Sequence, residues 1–169
     1  MVILIGYMGS GKSTVGKILA SEMKIEFMDF DDYIEKSEGM SIPEIFSSKG
    51  EIYFRKIESS CLQTLLQESP DAVISLGGGT PCFGNNMDNI LEASDNVFYL
   101  KAGIEFLVER LLPEKSHRPL ISAIDDQDLS DFIRKHLFER NFYYMRSPNV
   151  ITTDRKSPAA IAGEIAALI

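Results

Sequence analysis

The chain has 169 residues, a formal net charge of −8 and 44% hydrophobic residues, enough apolar material for one domain with a core built around a sheet. The acidic balance, with no long Lys/Arg block, excludes a nucleic-acid binder that relies on a basic stripe. Cys61 and Cys82 are too few and too irregularly spaced for a disulfide framework or a zinc site, no apolar run reaches membrane-spanning length, and the first strand starts at Met1; the expectation is a soluble protein with reduced thiols, cytoplasmic, without a membrane partner.

Residues 2–5, Val-Ile-Leu-Ile, are the kind of β-branched run that is buried on both faces of a parallel sheet. The pattern G-x-x-x-x-G-K-S follows without a spacer, as Gly6-Tyr-Met-Gly9-Ser10-Gly11-Lys12-Ser13, and Thr14 comes next. Gly6, Gly9 and Gly11 let successive backbone N–H groups converge on a phosphate. From Lys12 the sequence turns helical, with Val15, Ile18, Leu19 and Met23 on one face, so a helix N-terminus points at the same anion. Lys12 is then placed to bridge the terminal phosphates of a nucleotide, and Ser13 to offer its hydroxyl to Mg²⁺. A ligand-free glycine turn accounts for the glycines but not for eight matched positions between a strand and a helix.

Residues 25–29 read as a second strand ending in acids, and 31–38 as a helix with Asp32 as its cap and Gly39 as its stop. Ser41-Ile-Pro43-Glu44 carries a capping box and opens a short helix that Lys49-Gly50 closes. Residues 51–67 make a longer helix with Phe54, Ile57, Cys61 and Leu65 along its apolar stripe. Residues 72–76 form a buried strand that runs into Gly77-Gly78-Gly79. A strand at 97–100, helices at 104–112 and 129–145, a strand at 149–152 and a helix at 158–169 complete the chain. This alternation implies a three-layer α/β/α fold on a five-stranded parallel sheet, a single domain spanning 1–169. Two segments exceed a minimal crossover: the helical insertion at 31–67, and a polar, proline-containing stretch at about 112–126 that reads either as a mobile lid over the nucleotide or as a surface loop.

The acceptor side offers fewer certainties. Asp29 and Asp31 stand at the C-terminal end of the second strand, where ligands gather in open parallel sheets; one carboxylate could serve a metal and the other an acceptor hydroxyl, or both could cap the next helix. Glu51, Arg55 and Glu58 share a helical surface at i, i+4 and i, i+3 spacing, which reads most simply as an exposed ion-pair ladder, although Arg55 could instead grip a carboxylate. The triple glycine permits either a turn or the close approach of a ligand or loop. Arg118 in the lid segment and Arg140 supply positive charge to an anionic acceptor or transition state, or are simply solvated.

Taken together, Gly6 to Thr14, Asp29-Phe30-Asp31, Gly50-Glu51 with Phe54-Arg55 and Glu58, Ser75-Leu76-Gly77-Gly78-Gly79, Arg118-Pro119-Leu120, and Arg140 four residues before Tyr144 resemble the shikimate kinase family of P-loop proteins over nearly the whole chain. The resemblance implies a nucleoside-monophosphate-kinase-like fold and transfer of the ATP γ-phosphate to the 3-hydroxyl of shikimate, a step of chorismate and aromatic amino-acid biosynthesis. By position it implies Lys12, Asp31 and Arg118 as catalytic residues. Gly9, Ser10, Gly11, Lys12, Ser13, Thr14, Arg110, Arg118 and Lys156 would hold the nucleotide, and Ser13 and Asp29 the Mg²⁺. Asp31, Arg55, Gly77, Gly78, Gly79 and Arg140 would hold shikimate, with Phe46 and Phe54 as apolar walls. The implied partners are ATP, ADP and shikimate, and the implied unit is a monomer. The segment Arg140-Asn-Phe-Tyr-Tyr144 departs from the family by lacking a proline often found there, and residues 113–117 carry no distinctive family pattern. Gluconate kinase, nucleoside monophosphate kinases and a nucleotide-binding module without catalysis are the competing readings.

Overall fold

The computed structural model describes residues 1–169, the side chains of residues 117 and 119 aside. Five parallel strands lie in the order β2-β3-β1-β4-β5: β1 (Val2–Ile5), β2 (Glu26–Asp29), β3 (Ala72–Ser75), β4 (Val97–Lys101) and β5 (Asn149–Thr152). β1 sits in the middle, with Ile3 opposite Ile74 of β3 on one side and opposite Val97 of β4 on the other. Because side chains alternate across a strand, β1 feeds two cores at once. Ile3 and Ile5 join Ile74, Tyr99, Leu62 and Leu107 on one face, and Val2 and Leu4 join Val73, Phe98, Leu19 and Ile161 on the other. All four β1 residues are buried, which is why the run shows no polar alternation.

Helix α1 (Lys12–Met23) and helix α8 (Pro158–Ala166) cover the second face. The first face is covered by α2 (Phe30–Glu38), α3 (Ile42–Glu68), α4 (Asn86–Ala93), α5 (Ile104–Leu111) and α7 (Leu129–Tyr144). The chain moves outward from β1 in one direction to β2 and β3, then returns to β4 on the other side. That reversal opens a crevice at the C-terminal end of β1, where the phosphate loop begins.

Several sequence expectations change. The cap of α2 is Asp29, whose side chain accepts from the Asp31 N–H at 3.1 Å; Asp32 lies within the first turn instead. The helices expected at 41–49 and 51–67 are present as the two arms of α3, separated at Gly50, whose φ of 79° and ψ of 171° are not helical. Gly50 therefore ends the first arm, as expected, and the second arm starts directly after it. The expected capping box at Ser41 and Glu44 is present in full. Helix α4 had no expectation, and the stretch at 112–126 contains a 3₁₀ turn at Lys115–His117 and the short helix α6 (Pro119–Ser122), with a second 3₁₀ turn following at Asp126–Asp128.

Candidate active site

The phosphate loop winds from β1 into α1 with Gly6, Gly9 and Gly11 at φ 146°, 80° and 93°, conformations that side-chained residues rarely adopt. At Gly6 a Cβ would also stand 2.7 Å from the Leu100 carbonyl oxygen. Lys12 is buried, and its ammonium donates to the carbonyls of Gly6 at 3.0 Å and Tyr7 at 3.1 Å, so it folds back over its own loop. Burial lowers the Lys12 pKa to about 8, against the opposing pull of Asp31 and Asp29. The Ser13 hydroxyl donates to Asp29 at 2.7 Å and lies 3.3 Å from the Ser75 hydroxyl.

Asp31 faces this loop across the cleft. Water reaches its side chain, yet the carboxyl stands in a concave wall whose protein atoms crowd it; burial, and then the nearby Asp29, raise its pKa to about 6, while Lys12 pulls the other way. The three glycines at 77–79 owe their presence to what approaches them. A Cβ at Gly77 would stand 2.8 Å from an Asp31 oxygen, one at Gly79 3.0 Å from an Arg55 guanidinium nitrogen, and one at Gly78 3.3 Å from the Gly6 carbonyl oxygen, with an Arg140 guanidinium nitrogen in ordinary contact at 3.5 Å. A carboxylate and two guanidinium groups thus converge on one side-chain-free turn, although none of the three glycines has a positive φ.

Of the ion-pair ladder expected at Glu51, Arg55 and Glu58, the Glu51 end is exposed, 3.8 Å from Arg55, but the Glu58 end is not. Glu58 is 2% exposed, accepts from Arg55 at 2.7 Å and from the Thr80 hydroxyl at 2.7 Å, and so fixes the guanidinium from behind. The sequence held the signal: Glu58 falls on the apolar stripe of α3, four residues from Phe54 and Leu62 and three from Cys61. On the opposite wall the Tyr144 hydroxyl, fully buried, donates to the Gly78 carbonyl at 2.5 Å and also bonds Arg140. Sequence reasoning assigned roles to neither Thr80 nor Tyr144. Phe54 is buried and Phe46 is 38% exposed, their rings 4.5 Å apart.

Arg110 lies on α5 with its guanidinium 4.2 Å over the Phe106 ring and donates to the Gly9 carbonyl at 3.2 Å, bracing the loop from outside. Arg118 points into the cleft but is held by Glu114, a neighbour the sequence reading overlooked, through contacts at 2.5 and 3.1 Å. Lys156 is paired with Glu164 at 2.7 Å and does not line the cleft, whereas its neighbours Pro158 and Ile161 do. The cleft runs from Met8 to Val15 past Asp29, Asp31, Gly77 and Gly78 to Arg110, Glu114 and Arg118, and its volume of about 440 Å³ suits a small ligand. Among the described residues no group of three His, Cys, Asp or Glu side chains forms a self-sufficient metal site. Two hard oxygen donors beside a phosphate cradle fit a cation that takes the rest of its ligands from phosphate and water.

A phosphate loop on a central parallel strand, facing a basic and carboxylate-bearing pocket through one cleft, defines a P-loop kinase of small molecules. The chain belongs to the shikimate kinase family: the family model for shikimate kinase matches residues 8–169. A shikimate kinase of Flavobacterium johnsoniae is 46% identical over 158 residues, 92% of this chain and 91% of that one. The solved shikimate kinase of Bacteroides thetaiotaomicron superposes with a TM-score of 0.90 at 31% identity, covering 99% of this chain and 96% of that one. One from Acinetobacter baumannii, solved in complex with shikimate, gives a TM-score of 0.88 at 31% identity, over 99% and 90% of the two chains. A gluconokinase of Sinorhizobium meliloti shares the fold alone, with a TM-score of 0.57 and 17% identity over 98% of this chain and 89% of that one.

Proposed function

We propose that this chain transfers the γ-phosphoryl group of ATP to the 3-hydroxyl of shikimate, releasing ADP and shikimate 3-phosphate. The observation that carries the reading is the convergence of Asp31, Arg55 and Arg140 on Gly77 to Gly79, with Asp31, Gly77 and Gly78 lining the cleft that also holds Lys12. A phosphate loop needs none of those acceptor groups merely to bind a nucleotide, which disfavours a module without catalysis. Two arginines suit a carboxylate-bearing acceptor, and they disfavour an acceptor that lacks an acid group.

In this scheme the backbone of Gly9 to Thr14 and the Lys12 ammonium hold the β- and γ-phosphates. Lys12 exchanges its carbonyl partners for phosphate oxygens. Arg110 borders the base, and Lys156 reaches it only by leaving Glu164. Ser13 and Asp29 are the residues to hold Mg²⁺, which when bound neutralises phosphate charge. Arg55, backed by Glu58, and Arg140, backed by Tyr144, fix the shikimate carboxylate and so turn a hydroxyl toward Asp31. With a pKa of about 6 Asp31 is ionised near neutrality, yet basic enough to take the hydroxyl proton as the new O–P bond forms and the bond to the ADP oxygen breaks. Arg118 leaves Glu114 to meet the transferring phosphoryl, and the segment at 112–126 closes over it to exclude water. No helix among the described residues is long and apolar enough to cross a membrane, and the two free cysteines support a cytoplasmic site of action.

The test is ADP release with ATP and Mg²⁺ in parallel reactions with shikimate, gluconate and AMP. Shikimate-dependent release alone is expected; release with gluconate or AMP, or with no acceptor, would overturn the reading.

A further inference from the structure

Phe132, His136, Arg140 and Tyr144 recur every fourth residue of α7 and so share one face of the helix. Two of them have work in the transfer scheme: Arg140 holds the acceptor and Tyr144 pins Gly78. His136 has none. Its Nδ1 is 3.2 Å from the hydroxyl of Tyr7, the residue that follows Gly6 in the phosphate loop. The Tyr7 ring is 1% exposed, stands edge-on to the imidazole at 6.2 Å, and carries the Arg140 guanidinium 5.5 Å over its face. Phe132 packs on the other side of the imidazole at 4.4 Å and limits its rotation.

Tyr7 thus touches the same helix at two points one turn apart: through its hydroxyl at His136, and through its face at Arg140. A ring fixed at its far end presents a fixed platform to the guanidinium, and cation–π attraction depends on the cation lying over the face. Burial pushes the Tyr7 phenol up to about 12, so it keeps its proton to donate. Burial also keeps the imidazole from charging, helped by Arg140 and Lys135 and resisted by Glu139. In the neutral tautomer protonated at Nε2, Nδ1 is an acceptor for that phenol.

We propose that His136 is a positioning residue which, through the Tyr7 hydroxyl, sets the Arg140 guanidinium for the acceptor carboxylate. The inference rests on the functional reading above and adds to it a coupling between the phosphate loop and the acceptor arginine. Tyr7→Phe keeps the ring and removes the hydroxyl, His136→Ala removes the acceptor, and His136→Asn places an amide oxygen near the former Nδ1. Tyr7→Phe and His136→Ala are expected each to raise the shikimate KM about fivefold, what one neutral hydrogen bond is worth. kcat and the ATP KM should stay within twofold. The double variant should be no worse than either single one, and His136→Asn should restore most of the loss. Steady-state kinetics of the four variants, with shikimate varied at saturating ATP and ATP varied at saturating shikimate, would overturn the inference if the shikimate KM were unmoved, if the two losses added, or if the ATP KM rose in step. An unmodified chain with no shikimate-dependent turnover would instead overturn the functional reading, and this inference with it.

Discussion

Gly79→Ala isolates the pocket's geometry from its chemistry, because the atoms nearest the new methyl are those of the Arg55 guanidinium. The backbone at Gly79, φ −88° and ψ −20°, suits alanine, so the fold bears no strain from the change. The built Cβ stands 3.0, 3.1 and 3.4 Å from three guanidinium atoms, and these must retreat a few tenths of an ångström. An unpinned arginine would swing away at little cost. Here the guanidinium is clamped by Glu58 at 2.7 Å, and Glu58 is itself buried and held by Thr80 at 2.7 Å. The retreat therefore comes out of the bond to the acceptor carboxylate. A charge-assisted hydrogen bond is worth about 1.5–3 kcal/mol, and loss of the lower figure corresponds to a roughly tenfold rise in the shikimate KM. The assay is ADP release at saturating ATP across a shikimate titration, with thermal unfolding as the control. In an Arg55→Ala background the same methyl should cost nothing further. A shikimate KM within twofold of the unmodified chain, or an equal loss without Arg55, would refute the argument that Gly79 exists to admit that guanidinium.

Asp31→Asn is expected to lower kcat by about 10²–10⁴-fold, the range for a positioned proton acceptor, while ATP binding measured by calorimetry persists. In the unmodified chain Asp31 must be ionised to act, so kcat/KM should fall tenfold per pH unit below about 6 and level off above it; a flat profile from pH 5 to 8 would remove Asp31 from the role. Lys12 has a pKa of about 8 in the free protein, and phosphate beside it favours the charged form, so ATP binding at pH 8 should take up about half a proton. Calorimetry in buffers of different ionisation enthalpy reads this directly, and a buffer-independent heat would contradict it. Gly50→Ala places a side chain in a conformation open essentially to glycine, with nothing within 4 Å to clash, so its cost is backbone strain alone. At about 1–3 kcal/mol the melting temperature should drop by roughly 2–10 °C, and an unchanged midpoint would show that the kink relaxes.

The donor half of the site and the sheet were legible because local rules decide them. β1 is buried on both faces and reads as an unbroken apolar run, and the loop glycines are required one by one by their own backbone angles. The acceptor half follows from contacts that sequence spacing alone underdetermines. Arg55 and Glu58 looked like a surface ladder because i, i+3 pairs usually are; the place of Glu58 on the apolar stripe was the sequence's one sign to the contrary, and its bond to Thr80 shows that end of the pair buried. Gly77 to Gly79 looked equally like a turn, since what needs their bareness comes from elsewhere in the chain: Asp31 at Gly77, the Gly6 carbonyl at Gly78 and Arg55 at Gly79. The cap of α2 fell on Asp29 rather than Asp32 because β2 passes into the helix without a linker, which leaves the last strand residue to meet the first free N–H. Gly50 reads as a terminator and is one, and a second helical arm starts directly beyond it, with Ile45 and Phe54 on either side entering one core. Lys156 and Arg118 found acidic partners, Glu164 and Glu114, at distances along the chain that carry no family pattern.

The claim that the cleft joins an ATP donor to a shikimate acceptor is tested most directly by the product itself. Phosphorus NMR of a completed reaction of ATP, Mg²⁺ and shikimate should show ADP and one new phosphate monoester, with its phosphorus coupled to the proton on carbon 3 of shikimate. Inorganic phosphate in place of that ester, or an ester on another hydroxyl, would contradict the account.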